Sequence, residues 1–549
     1  MGGEVESATA SRTNSAWAHN EVYARIERVL VWVIPSLGDA VFVCVLLAVV
    51  FGLQGSALGT DGDSAWTIRI GQQILAHGLP HHEFLLSTTM HRPVVYWEWL
   101  SQIIYASAYR LGGLNGVVAT AGLVVSLCGV GLYLAARNRG VPLLLALALA
   151  LTGLALTSIT WTARAQLFSL PLTLWWSEEI WRFRRSRQKR RLWLFPAITV
   201  LWANLHGGFI AGLILLAIAA GVEWLAPEQR DFGSARALTL ALGASALATL
   251  CTPWGIGLPR YILRYLTDPL VTRYTQEYQS PDFHTFLGVS FLALIGLLLA
   301  AWLVLVRMRA RLDPLFVVIA TVWTLMALFS VRFVPLWGLI VLPTLGAQLA
   351  AACSGLTNVI PRDSPLPLAR VGARVQRVFG WAGDASRRVE LTDRRVGKGI
   401  WSLLAALFVA ALVLRGGMLP FAQSPALHAT YDSTALPVEA AQRLAAGGLP
   451  AGRGFNTFEW GGYLELALPR YHPFIDSRSD AYGNTLFADY ATIISMKPGW
   501  QTLLARYNVR WALLPTMMPL TTVLTQTPGW RCMPADSHHV ATLCERAVP

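Results

Sequence analysis

The chain has 549 residues, of which 54% are hydrophobic and only 14% charged, against roughly 25% charged in ordinary soluble domains. With a mean hydropathy of +0.47 and 22 Trp, 21 Phe and 15 Tyr, the composition excludes both a water-soluble multidomain protein and a disordered chain. The formal net charge of +13 does not point to nucleic acid, because the basic residues are divided among short loops and do not cover one solvated surface.

Residues 1 to 38 read as a polar cytoplasmic tail with no cleavable signal ahead of the first apolar run. A spanning helix needs about 20 mostly apolar residues. Eleven such runs follow, near 39 to 55, 114 to 136, 141 to 160, 166 to 181, 192 to 205, 208 to 225, 236 to 253, 285 to 306, 314 to 331, 334 to 352 and 399 to 417. The run at 192 to 205 is short and holds Pro196, so it is expected to tilt or to be partly re-entrant. Each crossing changes side, and short cytoplasmic loops collect Lys and Arg. With the N-terminus inside, Arg137 and Arg139, the cluster from Arg182 to Arg191, Arg230 and Arg236, Arg307 to Arg311 and the basic loop 353 to 398 all fall on the inner side. This parity requires residues 95 to 111, rich in Trp and Tyr, to lie in the interface rather than cross.

The expected architecture is therefore a polytopic α-helical membrane protein of about eleven transmembrane helices over residues 39 to 420. Its first outer loop, 56 to 113, carries interfacial helices. An odd number of crossings places residues 421 to 549 outside as a small extracytoplasmic α/β domain. There the pattern predicts a helix over 438 to 446 and strands near 463 to 468, 473 to 476, 510 to 514 and 541 to 546. Cys532 and Cys544 flank a turn-like stretch and either bridge a hairpin or remain two thiols; the other four Cys sit in or beside apolar runs.

The distinctive polar residues fall in the outer segments. Asp61 and Asp63 precede an apolar stripe of Trp66, Ile70 and Ile74 in a helix that Gly78 ends, which makes Asp63 an N-cap or something more. His77, His81, His82, Glu83 and His91 match no firm metal-ligand spacing and read as a solvated loop. Glu98 stands between Trp97 and Trp99, a costly place for an acid at an interface. The shorter outer connections contribute Arg164, Asn204, His206, Glu277 and Arg332. Two arginines, a histidine and several carboxylates on one face suit a phosphate-bearing substrate, since guanidinium groups pair with phosphate and carboxylates accept protons. In the tail, Asp476, Arg478 and Asp480 read as an internal salt bridge.

The segments DSAWTIRIG, YWEWL, ARAQLFS, WANLHGGF, SVRFVPL and FEWGGYL with FIDSRSDAY resemble the GT-C superfamily of integral-membrane glycosyltransferases. The likeness is strongest to a broad prokaryotic group of that type and covers nearly the whole chain beyond the N-terminal tail. The chain departs from that group in Thr67, where His is usual, and in Thr252-Pro253, where Asn-Pro is usual. The resemblance implies a transferase in the bacterial inner membrane. It would move a sugar from a polyprenyl-phosphate-type donor to a glycan, lipid or protein acceptor at the extracytoplasmic face, with inversion. Asp63, or alternatively Asp61, would be the general base, with Glu98 orienting it or the sugar. Arg164, His206 and Arg332 would hold the lipid phosphate, with Asn204 and Glu277 beside them, and Trp66, Trp97 and Trp99 would offer flat faces to the sugar or the prenyl chain. No cofactor is required, and a divalent metal through Asp61, Asp63 and Glu98 is an open option. The other readings are a transporter or flippase of lipid-linked sugars and a non-catalytic glycan-binding envelope protein.

Overall fold

The computed structural model describes residues 33–52, 62–225, 231–267, 276–359, 366–393, 396, 399–420 and 423–547. Asp61 and most of the N-terminal tail lie outside them. Each of the eleven apolar runs carries a helix: α1 (Leu37–Leu47), α3 (Trp99–Asn138), α4 (Leu143–Thr157), α5 (Gln166–Ser186), α6 (Leu194–Leu205), α7 (Phe209–Leu225), α8 (Phe232–Ala248), α10 (Phe286–Arg307), α11 (Pro314–Phe329), α12 (Val334–Val359) and α14 (Ile400–Leu414). Between them lie α2 (Gly62–His77), α9 (Gly257–Leu266) and α13 (Leu366–Asp393). Four helical stretches, Trp99–Asn138, Leu143–Thr160, Phe286–Arg307 and Val331–Gly355, are long and apolar enough to cross a membrane. Length and composition establish these four; the expectation of eleven crossings goes beyond them. Phe286, Leu299 and Leu303 on α10 and Leu403, Leu407 and Phe408 on α14 turn outward, an apolar exterior that belongs against acyl chains rather than water.

Pro196 does not break α6. It stands in the first turn, where its missing N–H has no partner to lose. Helix α3 is bent at Gly112 and Gly113, the latter at φ 59°, which divides residues 99–111 from the segment after them, as the parity argument requires. A Cβ on Gly112 would lie 2.2 Å from Val413 Cγ1, so the bend is also a contact with α14. Polar groups tie one set of helix ends together. The buried carboxylate of Asp39 accepts from the N–H groups of Gly399 and Ser402. Arg139 pairs with Glu178, Arg191 with Glu179 at 2.8 Å and Arg187 with Glu223 at 2.7 Å, so the acids embedded near that end are matched by the arginine-rich turns.

The tail folds on a four-stranded sheet, β1 (Arg453–Asn456), β2 (Val509–Pro515), β3 (Trp530–Pro534) and β4 (Ala541–Arg546), in the order β1-β2-β4-β3. Strand β1 runs parallel to β2 and the other pairs are antiparallel. Both faces are covered. Ala512 and Leu514 pack with Phe455 and Phe474, and Trp511 and Leu513 pack with Trp460 and Leu464, the period-two alternation of a strand buried on two sides. The remaining helices are α15 (Val438–Gly447), α16 (Phe458–Ala467), α17 (Ser479–Ile494), α18 (Trp500–Arg506) and α19 (Pro519–Gln526). Two expected strands are corrected. Residues 463 to 467 belong to α16, with Leu468 as its C-cap, and 473 to 476 form a loop. Strands β1 and β3 were not expected. Cys532 and Cys544 face each other across β3 and β4 and form a disulfide.

Candidate active site

One cavity of about 920 Å³ lies between the tail and the helix ends. Helix α2 supplies its first acid. Asp63 sits in the first turn of α2 rather than at its cap, and its carboxylate meets side chains of two other segments: Oδ2 lies 2.9 Å from Arg164 Nη1, and Oδ1 accepts from the Ser477 hydroxyl. The start of α2 can meet the tail because both backbones carry glycine there. A Cβ on Gly62 would lie 2.6 Å from the Glu459 carbonyl, and one on Gly462 would lie 2.4 Å from the Gly62 carbonyl. Behind it the expected stripe of Trp66, Ile70 and Ile74 packs on Leu85, Val94 and Tyr96, and Gly78 at φ +83° ends the helix.

Arg164 lies in the turn between α4 and α5 and reaches Glu277 Oε1 at 3.3 Å as well as Asp63. Glu277 Oε2 is 4.0 Å from Arg332, so this carboxylate stands between the two guanidinium groups. Arg332 donates to the Tyr278 hydroxyl at 2.7 Å and lies over the Tyr278 ring.

His206 caps α6 in an extended conformation. Its Nδ1 accepts from the Gly208 N–H at 3.0 Å and faces Ser169 Oγ at 2.7 Å. The ring proton therefore sits on Nε2, 3.7 Å from Glu98 Oε1. Burial, aided by Arg332, lowers the imidazole to about 3, so His206 faces the cavity as a neutral donor. The glycines of WANLHGGF are spatial needs: a Cβ on Gly207 would lie 2.8 Å from the Trp97 ring and one on Gly208 2.3 Å from Ser169 Oγ.

The cavity thus brings together Asp63, Glu98, Arg164, His206, Glu277, Arg332, Trp66 and Trp97. It does not take in Asn204 and Trp99, which pair with each other at 2.8 Å, while Asn204 also donates to the carbonyls of Val200 and Cys251. Glu83 is corrected from a solvated loop: it is wholly buried, accepts the N–H of Leu85 at 2.7 Å and receives Arg478 at 3.0 Å. Arg478 also pairs with Asp476 at 2.6 Å, the internal bridge expected. Sequence reasoning missed Ser477, Tyr265 and Tyr482, which line the cavity; FIDSRSDAY held the signal for Ser477 but not its partner. Among the described residues no group of three or more His, Cys, Asp or Glu is arranged to hold a metal. Asp63 and Glu98 fit one poorly, because Arg164 already stands against Asp63 and Glu98 faces His206.

No family model matches the chain, and no curated protein matches it. Solved structures do. The apo oligosaccharyltransferase of Archaeoglobus fulgidus is similar with a TM-score of 0.50 at 11% identity, over 88% of this chain and 69% of that one. The Archaeoglobus fulgidus oligosaccharyltransferase AglB in complex with an inhibitory peptide and a dolichol-phosphate gives 0.50 at 10% identity over the same shares. ArnT from Cupriavidus metallidurans bound to undecaprenyl phosphate is 18% identical over 93% of this chain and 99% of that one, with a TM-score of 0.48. At such identities the oligosaccharyltransferase likeness shows the fold, which is the GT-C fold that the sequence motifs resemble.

Proposed function

We propose that this chain is a membrane glycosyltransferase that moves a sugar from a polyprenyl-phosphate donor to an acceptor hydroxyl at the face opposite its arginine-rich turns, the extracytoplasmic one. The observation that carries the reading is the convergence of Asp63, Glu98, Arg164, His206 and Arg332 from separate segments into one cavity. An apolar groove of about 680 Å³ runs between α7, α8 and α9, lined by Phe209, Leu213, Leu247 and Leu263. Phe209 follows the His206 turn in the chain, and α9 also carries Tyr265 of the cavity lining, so the groove suits a prenyl chain whose phosphate lies at the arginines.

In this reading Asp63 accepts the acceptor's proton as its oxygen attacks the anomeric carbon. The bond from that carbon to the phosphate oxygen breaks on the opposite side, so the configuration inverts. Arg164 and Arg332 stabilise the charge that grows on the leaving phosphate, displacing Glu277 from between them. The Nε2–H of His206 adds a neutral donor. Glu98 fixes that donor or a sugar hydroxyl, and the rings of Trp66 and Trp97 supply apolar faces. No step is routed through a metal.

The test is turnover of a panel of polyprenyl-phosphate sugars by purified protein. Asp63→Asn is expected to lower kcat by about 100-fold or more, within the range for loss of a general base, and Arg164→Ala to weaken both binding and turnover. Asp61→Asn, in the segment just before α2, is expected to stay near wild type. Transfer that survives Asp63→Asn would refute the assignment of the base, and its loss in Asp61→Asn instead would move that role to Asp61.

A further inference from the structure

The second oxygen of Asp63 is held by the tail. The Trp66 indole Nε1–H donates to Ser477 Oγ at 3.1 Å. Indole N–H can only donate, so the serine oxygen is used as an acceptor there and its one hydrogen is left for Asp63 Oδ1. Asp63 is thereby gripped from two sides, by Arg164 of the helical domain and by Ser477 of the tail. Ser477 has little freedom of its own. Asp476 before it and Arg478 after it are buried; Arg478 Nε pairs with Asp476 at 2.6 Å, Nη1 with Glu83 at 3.0 Å and Nη2 with Glu465 at 3.6 Å. Glu83 lies in the same outer loop as α2, so the ion cluster fastens the serine's neighbours to the loop that carries the acid. Burial works against the charge of Arg478, and Asp476, Glu83 and Glu465 together hold it well above its ordinary value, while burial and Asp476 push the Glu465 carboxyl well above the usual range.

We propose that Ser477 is a positioning residue for Asp63, stationed by the Glu83–Arg478–Asp476 cluster so that the docked tail fixes the carboxylate's orientation and keeps it ionised. The proposal deepens the transferase reading and rests on it for its consequence in turnover, but its geometry stands apart from that reading. A donor aimed at a carboxylate favours the charged form, so its loss raises the acid's pKa.

The test reads Asp63 directly and needs no substrate. A hydrophobic carbodiimide reacts with protonated carboxyl groups, and the rate of its addition to the Asp63 peptide, followed by mass spectrometry in the full-length purified protein, gives a midpoint pH. Ser477→Ala is expected to move that midpoint up by about one unit, which is about a tenfold faster modification at a fixed pH above it; Ser477→Thr is expected to restore it. Trp66→Phe keeps a ring but frees the serine hydroxyl, and is expected to shift the midpoint in the same direction by less. With a turned-over donor, Ser477→Ala is expected to lower kcat with KM unchanged. An unmoved midpoint in a folded Ser477→Ala protein overturns the proposal, and should that variant fail to fold, an unmoved midpoint in Trp66→Phe does so. A shifted midpoint alongside full activity of Asp63→Asn would leave Ser477 holding Asp63 and remove the role of Asp63 as base, so the two failures are distinct.

Discussion

His206 shows how far a single side chain is decided by its surroundings. The sequence places it in an outer turn beside two glycines, and that much is legible, as is its meeting with Arg164 and Arg332. Its charge state is not, because it depends on a backbone N–H, a serine and an arginine brought in from elsewhere. An imidazole lowered to about 3 by burial titrates at about 6.5 once unfolded. Between these values the unfolded chain binds a proton that the folded one refuses, so stability is full above about 6.5 and falls as the pH drops toward 3. Thermal unfolding followed from pH 7.5 to 4.5 is expected to show a falling Tm, and His206→Gln is expected to flatten part of that slope. The activity profile is expected to show no limb from this residue near neutrality. Asn204 and Trp99 teach the converse: both types suit sugar recognition, yet each satisfies the other. Ser477 was illegible because its partner is 414 positions away.

Among the elements, α16 is the instructive misreading. Its apolar residues and its Gly461-Gly462 pair read as a strand with a turn, since glycine ordinarily weakens a helix. The structure uses both glycines for approach. A Cβ on Gly461 would lie 2.1 Å from the Ile475 carbonyl, and one on Gly462 would meet the start of α2. Close docking of two backbones outweighs the local propensity, which is a tertiary override that no window of sequence can show. Gly462→Ala is accordingly expected to destabilise the docked tail by about 1–3 kcal/mol, the range for overpacking, seen as a lower Tm together with lost turnover. Helices α3 and α10 were legible for the opposite reason: long apolar periods leave a chain few alternatives, while the bend at Gly112 and Gly113 within α3 was not read from the sequence.

At the scale of the whole molecule, the pairing of arginine-rich turns with Glu178, Glu179 and Glu223 collects at the helix ends away from the cavity. The expected direction of the chain across the membrane follows from charge alone, because the positive-inside bias acts on every short loop at once. The position of the tail over the cavity does not, since it rests on two glycine contacts and one ion cluster. Single cysteines introduced at Arg190 and at His539, in a background without the native free thiols, are expected to react with a membrane-impermeant maleimide from opposite sides of sealed vesicles. Labelling of both from one side would reverse the assignment of the face on which Asp63 works.

The link between Cys532 and Cys544 bears on more than the hairpin it closes. Strand β3 is the outer edge of the sheet, and an edge with free N–H and C=O groups invites a strand from a neighbouring copy. Stapled to β4, this border cannot peel away and trade places with the same strand of a neighbouring copy.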